Sequence, residues 1–248
     1  MISVEEALNL VLKQDVNSKS ILINTLDSLG EVLSESIFAP IPLPSFPQSA
    51  MDGYAIKGFQ KEFKLIGEIQ AGASKDITLE EGTAIRIFTG GAVPSNATCV
   101  IMQEKVEKTS LSITINDAIL EGKNIRPIGE QISKGTLVFE KGTLLNASAV
   151  GLLVSLGIEK INVFSLPKIS LVSTGNELVE LGKPLEYGQI YESNSATLIN
   201  AAKSYNYSIS SFHKVDDDYN ATKKTLEEAL NSTDVLLVSG GISVGDYD

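Results

Sequence analysis

The spacing of apolar and polar residues changes character along this chain of 248 residues, and each change predicts a different kind of element. Near the start, Ser3 followed by Glu6 forms a capping-box pattern. Apolar residues then recur at helical spacing, which predicts a first helix with an apolar face formed by Val4, Ala7, Leu8 and Val11. A second, short helix is predicted over 25–29, ending at Gly30.

Short strands are predicted after a proline-rich stretch. Four segments carry β-branched residues in partial alternation, separated by glycine and polar turns, and they lie at 64–69, 83–88, 98–108 and 110–116. Residues 46–122 are therefore predicted to form a small all-β unit. A further helix is predicted over 146–157, closing at Gly157.

From Lys168 onward, strand patterns alternate with helix patterns. Strands are predicted at 168–174, 207–215 and 233–241, with helices at 195–205 and 218–231 between them. This alternation argues for a parallel sheet with crossover helices. Ligands of such sheets bind at the carboxyl ends of the strands. Those ends carry carboxylates, hydroxyls and glycines, as a metal–phosphate site requires, at 173–177, 216–218 and 239–248.

Composition narrows the class of protein. A chain that is 43% hydrophobic and 21% charged is typical of a soluble globular protein with a real core. No apolar run has membrane-spanning length, and the acidic start is unlike a signal peptide. The single cysteine, Cys99, lies in an apolar run and is predicted to be buried; one thiol excludes an internal disulfide and suits a reducing cytosol.

The net charge of −11 argues against non-specific binding of nucleic acid or anionic membranes. A local anion site remains open, built from glycine-loop amides, a helix N-terminus or a metal that bridges carboxylate and phosphate. Only two residues, Arg86 and Arg126, are arginines, the side chain best suited to bidentate oxyanion binding.

The segment 44–56, PSFPQSAMDGYAI, is the most informative part of the chain. Its prolines favour an extended approach, after which small side chains flank the lone acid Asp52 and would let a ligand come close to the backbone. The structural alternative is a hairpin turn, because Asp-Gly between apolar runs is a strong turn signal.

Two further segments of this half offer a functional and a structural interpretation each. Thr89, Gly90 and Gly91 follow a predicted strand, and they could hold an oxyanion through amides and a hydroxyl or simply form a turn. The segment 124–135 carries Arg126, which on spacing alone is better interpreted as a surface residue of a loop.

The strand ends of the second half also have structural alternatives. Glu177 could bind metal or substrate, or could be an acid favoured at a helix N-terminus. At least one aspartate of the run 216–218 is predicted to be an N-cap. The glycine pair of SGGISVGDYD (239–248) follows a buried strand. His213 lies in a predicted strand and receives no metal or catalytic role.

These segments, in this order, resemble the signature motifs of the molybdopterin molybdenumtransferase family, which includes the C-terminal domain of gephyrin. The resemblance covers essentially the whole chain and implies a multidomain α+β and α/β fold. It implies a helical and extended linker region at 1–45 and 123–166 and an inserted small β domain at 46–122. An open α/β parallel-sheet molybdopterin-binding domain, incomplete in this chain, would follow at 167–248.

The resemblance implies insertion of molybdate into adenylylated molybdopterin with Mg²⁺, releasing AMP, in molybdenum cofactor biosynthesis in the cytoplasm. The implied catalytic residues are Asp52, Thr89, Arg126 and Glu177. The implied metal ligands are Glu177, Asp217 and Asp246. The implied pterin-binding residues are Ser49, Gly90, Gly175, Asp217, Ser239, Gly240, Gly241, Ser243 and Asp248.

The family resemblance also implies a homodimer, in which Asp52 and Thr89 act in trans to Glu177 and Asp248. The molybdopterin adenylyltransferase is a further candidate partner. The family usually has alanine, aspartate and aspartate at the positions of Gly91, Gln131 and Asn176, and the change at Gln131 removes a charge.

The chain stops at Asp248 within its last motif, and we interpret it as a C-terminally truncated relative that is expected to be inactive alone. Two rival functions remain open at this point. One is a gephyrin-like, non-catalytic scaffold with the same fold. The other is a nucleotide-hydrolysing relative that shares the α/β domain, although it would leave the first half of the chain unexplained.

Overall fold

The structure is a computed structural model that describes residues 2–14, 18–70, 72 and 77–241. The described residues form four α-helices: α1 (Val4–Leu12), α2 (Ala147–Ser155), α3 (Asn194–Ser204) and α4 (Tyr219–Leu230). The predicted capping box is confirmed, because the Glu6 amide donates to Ser3 Oγ and the Ser3 amide donates to Glu6 Oε2.

The strands of the first half are more numerous than predicted. They are β1 (Ser20–Asn24), β2 (Ile37–Phe38), β3 (Gln48–Ser49), β4 (Gly53–Ile56), β5 (Glu62–Ile69), β6 (Thr83–Ile87), β7 (Cys99–Met102), β8 (Val106–Lys108), β9 (Ser112–Ile115), β10 (Ile125–Arg126) and β11 (Leu137–Phe139). The second half adds β12 (Lys160–Phe164), β13 (Ile169–Thr174), β14 (Leu178–Val179), β15 (Ile190–Tyr191), β16 (Ile209–Val215) and β17 (Val235–Ser239).

Two predicted elements differ from what the structure contains. The short helix predicted at 25–29 is a single 3-10 turn, Thr25–Asp27, in which the backbone amide and the hydroxyl of Ser28 both donate to the Thr25 carbonyl. The strand predicted at 98–108 is broken into β7 and β8 by a second 3-10 turn, Gln103–Lys105.

The chain divides into two compact units. One comprises Leu22–Val163, and the other comprises Met1–Ile21 together with Phe164–Asp248. This division is coarser than the predicted division into a linker region, an inserted β domain and a pterin-binding domain, and those finer boundaries stay a prediction. Within the described part of the chain, no helix has both the length and the apolar character needed to cross a membrane.

The unit Leu22–Val163 is built on a six-stranded sheet with the order β7-β4-β6-β5-β9-β8. Only β5 and β6 are parallel neighbours; the other pairs are antiparallel. The interior strand β4, second from one edge of the sheet, is buried along its whole length, since Tyr54 and Ile56 belong to one apolar cluster and Ala55 to another. Burial of both faces explains why this strand lacks the alternation of a half-exposed strand.

The predicted alternative of a hairpin at Asp52-Gly53 is wrong. Gly53 begins β4, and the neighbours of β4 are β6 and β7 rather than a strand immediately before it. Gly53 is required there because an added Cβ would lie 2.0 Å from the Ile101 carbonyl oxygen. The prediction that Cys99 is buried is confirmed; burial raises the pKa of its thiol to about 11.

The second unit contains a parallel sheet of three strands in the order β16-β13-β17. Its buried centre is formed by Val172, Val215 and Ala229, with α4 supplying the last of these. The predicted alternation of strands and helices from Lys168 is confirmed. A second parallel pair, β14 with β15, was not predicted, because strands of two residues carry no periodic signal.

Candidate functional site

Three sequence-distant segments meet around β3 in the first unit. In the pairing of β3 with β10, Ser49 lies opposite Ile125, and Gln48 lies opposite Arg126. The loop after β6 joins the same strand, since the Gly90 amide donates to the Ser49 carbonyl at 2.8 Å. The predicted residues Ser49, Gly90 and Arg126 are therefore brought to one place by backbone pairing.

Asp52 follows β3 and is held by a single residue. The amide and the hydroxyl of Thr89 both donate to Asp52 Oδ1, each at 2.7 Å. Both bonds lower the pKa of Asp52, and the bond from the Thr89 amide has the larger effect. The positive charge of Arg86 lowers this pKa slightly further. The exposed carboxylate is therefore ionised at neutral pH.

The amides of Thr89, Gly90 and Gly91 all have acceptors within the protein. Thr89 donates to Asp52, Gly90 to Ser49 and Gly91 to the Phe88 carbonyl. The expectation that this segment holds an oxyanion through free amides therefore needs correction. In this geometry the segment forms a turn in which the Thr89 donors hold the Asp52 carboxylate and the two glycine amides bond to backbone carbonyls.

The two arginines have different environments. Arg86 is half-buried and its guanidinium donates to two backbone carbonyls. Arg126 is exposed, and its side chain has no hydrogen-bond or ion-pair partner among the residues that the structure describes. A free, permanently charged guanidinium at the strand-pair position beside Gln48 can bind an incoming anion.

In the second unit, the predicted acids follow the strand ends. Gly175 has a φ of +146°, and a Cβ there would lie 2.7 Å and 2.8 Å from the Glu177 carboxylate oxygens, so the glycine makes room for that side chain. Asn176 and Asp217 form two hydrogen bonds with each other. The backbone N–H of Asn176 donates to Asp217 Oδ2 at 3.2 Å, and the backbone N–H of Asp217 donates to Asn176 Oδ1 at 3.0 Å.

In the run Asp216–Asp218, Asp218 and Asp217 have different surroundings. Asp218 Oδ1 accepts the Ala221 amide at 2.8 Å and caps α4, so the prediction that at least one of the three is an N-cap is confirmed. Asp217 instead faces the Gly175–Glu177 segment through its bonds to Asn176. The assignment of Asp217 as the functional acid stays a prediction.

The glycines after β17 allow a close approach between strand ends. A Cβ at Gly240, whose φ is +101°, would lie 2.5 Å from the Thr174 carbonyl oxygen. A cavity of about 840 Å³ opens beside these residues, lined by Thr174, Asp217, Asp218, Tyr219, Thr222, Lys223, Leu226, Glu227, Leu230, Val238, Gly240 and Gly241. Its volume lies in the range of small-molecule sites.

Sequence reasoning missed the residues around the start of α3. Asn194 Nδ2 donates to Ser239 Oγ at 2.9 Å, so it orients a predicted ligand-binding hydroxyl. Glu192 accepts the Ser195 amide at 2.8 Å and also hydroxyl bonds from Ser173 and Ser195. The cluster Glu-Ser-Asn-Ser at a predicted helix start was the available signal, since polar residues there meet the strand ends.

The predicted metal site is not complete within the described residues. The predicted metal ligand Asp246 lies outside them, as do the predicted pterin-binding residues Ser243 and Asp248. Over the described ranges, no group of three or more His, Cys, Asp or Glu side chains could hold a metal ion. Glu177 and Asp217 offer the hard oxygen donors that Mg²⁺ prefers, but by themselves they do not form a site.

Two family models match the chain, one in each half. A family model described as the MoeA N-terminal region (domain I and II) matches residues 2–157, and one described as a probable molybdopterin binding domain matches residues 170–248. Proteins named molybdopterin molybdenumtransferase from Staphylococcus epidermidis and Staphylococcus aureus are 34% and 30% identical to the chain over 256 aligned positions. The alignments cover 100% of this chain but 61% of each relative, less than two thirds of their length.

Solved structures agree with the sequence relatives. A crystal structure of the molybdopterin biosynthesis MoeA protein from Pyrococcus horikoshii OT3 superimposes with a TM-score of 0.85 at 32% identity, covering 98% of this chain and 67% of that one. Another MoeA crystal structure from the same organism gives a TM-score of 0.84, covering 97% and 64%. Since the first family model matches well over half of the chain, the protein belongs to the MoeA family.

Proposed function

We propose that the protein acts in molybdenum cofactor biosynthesis as a molybdopterin molybdenumtransferase, inserting molybdate into adenylylated molybdopterin with Mg²⁺ and releasing AMP. The observation that carries the proposal is the pre-set pair of Asp52, on the loop that joins β3 to β4, and Thr89, in the turn after β6, with Arg126 on the strand paired to β3. The names of the Staphylococcus relatives support the same reaction class.

The chemistry proposed for this pair is electrostatic. A carboxylate held by two donors stays ionised and fixed, and it costs no reorganisation when charge changes at the reacting centre. Arg126 supplies the opposite charge for an oxyanion such as molybdate or phosphate. No residue of the chain need act as a nucleophile, because positioning and charge can supply the rate.

The pterin substrate is proposed to bind at the strand ends of the second unit. The cavity beside Thr174 and Gly240 has a suitable volume, and glycine backbone lets phosphate groups approach closely. Glu177 and Asp217 are the proposed magnesium ligands among the described residues. Bound Mg²⁺ would neutralise phosphate charge.

The test is reconstitution with purified protein, adenylylated molybdopterin, molybdate and Mg²⁺, with AMP release and activation of a molybdenum enzyme as readouts. Asp52→Ala should lower both by about 10²-fold or more, the scale seen when one pre-set electrostatic group is removed. Asp117→Ala is the matched control, because Asp117 is another carboxylate of the same unit whose pKa is lowered by local donors. It should keep full activity.

Stability and activity together separate the outcomes. Asp52→Ala should change the melting temperature by no more than about 2–4 °C. A large loss of stability would instead make Asp52 a structural turn residue. Activity that persists without Asp52 would show that Asp52 is not a catalytic residue. A chain that binds the adenylylated pterin without releasing AMP would agree with the expectation that it is inactive alone. A chain that neither binds the pterin nor releases AMP would favour the non-catalytic scaffold.

We further propose a homodimer in the cytosol, with Asp52 and Thr89 of one subunit acting with Glu177 and Asp248 of the other. Exposed apolar residues of α1 support it, since Val4, Leu8 and Val11 are 88%, 55% and 68% exposed. Light scattering at micromolar concentration tests it, and a strict 26.5 kDa monomer would contradict the shared site. A molybdopterin adenylyltransferase is the proposed supplier of substrate.

A further inference from the structure

Arg86 bonds to both backbone segments that lead to the Asp52–Thr89 pair. Its Nη1 donates to the Gly53 carbonyl at 2.8 Å and to the Ile87 carbonyl at 3.2 Å. Gly53 directly follows Asp52, and Ile87 lies two residues before Thr89. One guanidinium thus joins β4 to β6 at the point where the carboxylate and its donors emerge.

Gln103 completes this arrangement. Arg86 Nη2 donates to Gln103 Oε1 at 2.7 Å, and the backbone amide of Gln103 donates to the Asp52 carbonyl at 3.1 Å. The other end of the Gln103 side chain donates to Glu104 Oε1 at 3.2 Å, which fixes the amide orientation. The consecutive carbonyls of Asp52 and Gly53 are therefore each held, one by Gln103 and one by Arg86.

Aromatic rings restrict the guanidinium further. The Arg86 Cζ atom lies 5.3 Å from the ring centroid of Tyr54, its partner across β4 and β6, and 4.7 Å from that of Phe88. Both distances are within the range of cation–π attraction. Phe88 immediately precedes Thr89, so the second ring contact also constrains the segment that carries the two donors to Asp52.

We propose that Arg86 is a positioning residue, whose planar fork fixes the loop before β4 against the turn after β6 and so keeps the Thr89 donors aimed at the Asp52 carboxylate. The consequence for catalysis rests on the function proposed above; the positioning itself does not. Lysine cannot replace Arg86 here, because a single ammonium does not reach carbonyls and a side-chain amide in fixed planar geometry.

The positioning is tested by NMR on the ¹⁵N-labelled 248-residue chain. The Thr89 amide donates to Asp52, so its chemical shift follows the ionisation of that carboxylate with pH. In Arg86→Lys and in Arg86→Met, we expect the titration midpoint to rise by about half a pH unit or more, roughly threefold in the acid dissociation constant. Lys64→Met removes a positive charge from β5 of the same sheet and should leave the midpoint unchanged.

The outcomes decide between geometry, charge and stability. A shift in Arg86→Met with none in Arg86→Lys would show a charge effect and overturn the proposal. A lower melting temperature with an unchanged Thr89 titration would show a purely structural role and overturn it too. Should Arg86→Met fail to fold, Gln103→Leu removes one acceptor of the guanidinium and should shift the midpoint in the same direction.

A kinetic experiment tests the catalytic consequence separately. With adenylylated molybdopterin as substrate, Arg86→Lys should lower kcat for AMP release by about tenfold or more while KM stays within about twofold, since misplacement of a catalytic group affects the transition state most. An increase in KM as large as the decrease in kcat would contradict the positioning role. A parent chain that neither binds the adenylylated pterin nor releases AMP would contradict the proposed function, while the NMR result would still decide the role of Arg86.

Discussion

The acid of the first unit and the acids of the second are held very differently. The Asp52 carboxylate accepts two bonds of 2.7 Å beside an interior strand, β4, that is buried on both faces. Among the described residues, the Asp217 carboxylate accepts one hydrogen bond, at 3.2 Å, and the Glu177 carboxylate has no hydrogen-bond partner. The first acid is therefore oriented by the fold before any ligand arrives, whereas the second pair is free to be oriented by the ligand or metal it binds.

The strongest test of this comparison substitutes a glycine beside each acid. Gly53→Ala should destabilise the first unit by more than about 3 kcal/mol, because the new Cβ would lie 2.0 Å from the Ile101 carbonyl oxygen and 2.8 Å from its carbon. Neither backbone atom can move without breaking the β4–β7 pairing. Urea unfolding followed by circular dichroism measures the loss.

Gly175→Ala should cost less, about 1–3 kcal/mol from its positive φ, because the contacts of the new Cβ are with the flexible Glu177 carboxylate. The control is Gly151→Ala in α2, where a Cβ meets nothing within 4 Å and alanine should stabilise the helix. If Gly53→Ala and Gly175→Ala had equal costs, the two acids would not differ in the way proposed.

Sequence patterns predicted local elements well and non-local pairing poorly. The capping box of α1 and the alternation after Lys168 are signals within a few residues, and both were confirmed. The Asp-Gly turn signal was equally local but wrong. The partners of β4 lie at 83–87 and 99–102, and burial between them determines the conformation.

The candidate site shows the same limit. Motifs identified Asp52 and Thr89, but nothing in their spacing indicates that Thr89 directs both of its donors to Asp52. Both arginines lie within motif segments. The sequence therefore could not show that the Arg86 guanidinium, and not that of Arg126, donates to backbone carbonyls. Which donors remain free depends on tertiary hydrogen bonds, and spacing does not encode those directly.

A smaller effect separates two neighbouring acids of the second unit. Asp218→Ala removes the N-cap of α4 and should cost about 1 kcal/mol, a decrease of about 2–4 °C in melting temperature. Asp217→Asn keeps an acceptor for the Asn176 amide, so it should leave the melting temperature unchanged while weakening Mg²⁺-dependent AMP release. Asp218→Asn, which retains a good cap, is the control. A stability loss in Asp217→Asn would show that this acid is structural.

The smallest expected effect is a pH-dependent one at the first acid. Thr89→Val removes the hydroxyl donor but keeps the amide, so it should raise the lowered pKa of Asp52 part of the way toward its usual value. A carboxyl whose pKa is lowered on folding contributes stability above its unfolded pKa, and this stability is lost as pH falls through the folded value. The parent should therefore exceed Thr89→Val in stability at pH 7. The difference should begin to shrink near pH 4 and reach its floor once Asp52 is protonated in both proteins.

Urea midpoints measured at neutral pH and at about pH 3 and below provide the test. Thr143→Val is the matched control, because its hydroxyl donates to the Glu140 carbonyl at 2.7 Å, an acceptor that does not titrate. Its stability difference from the parent should be the same at every pH. If Thr89→Val behaved like Thr143→Val, the Thr89 hydroxyl would not be directed at an ionised carboxylate. The conclusion that Asp52 is oriented before a ligand binds, unlike Glu177 and Asp217, would then rest on the Thr89 amide bond alone.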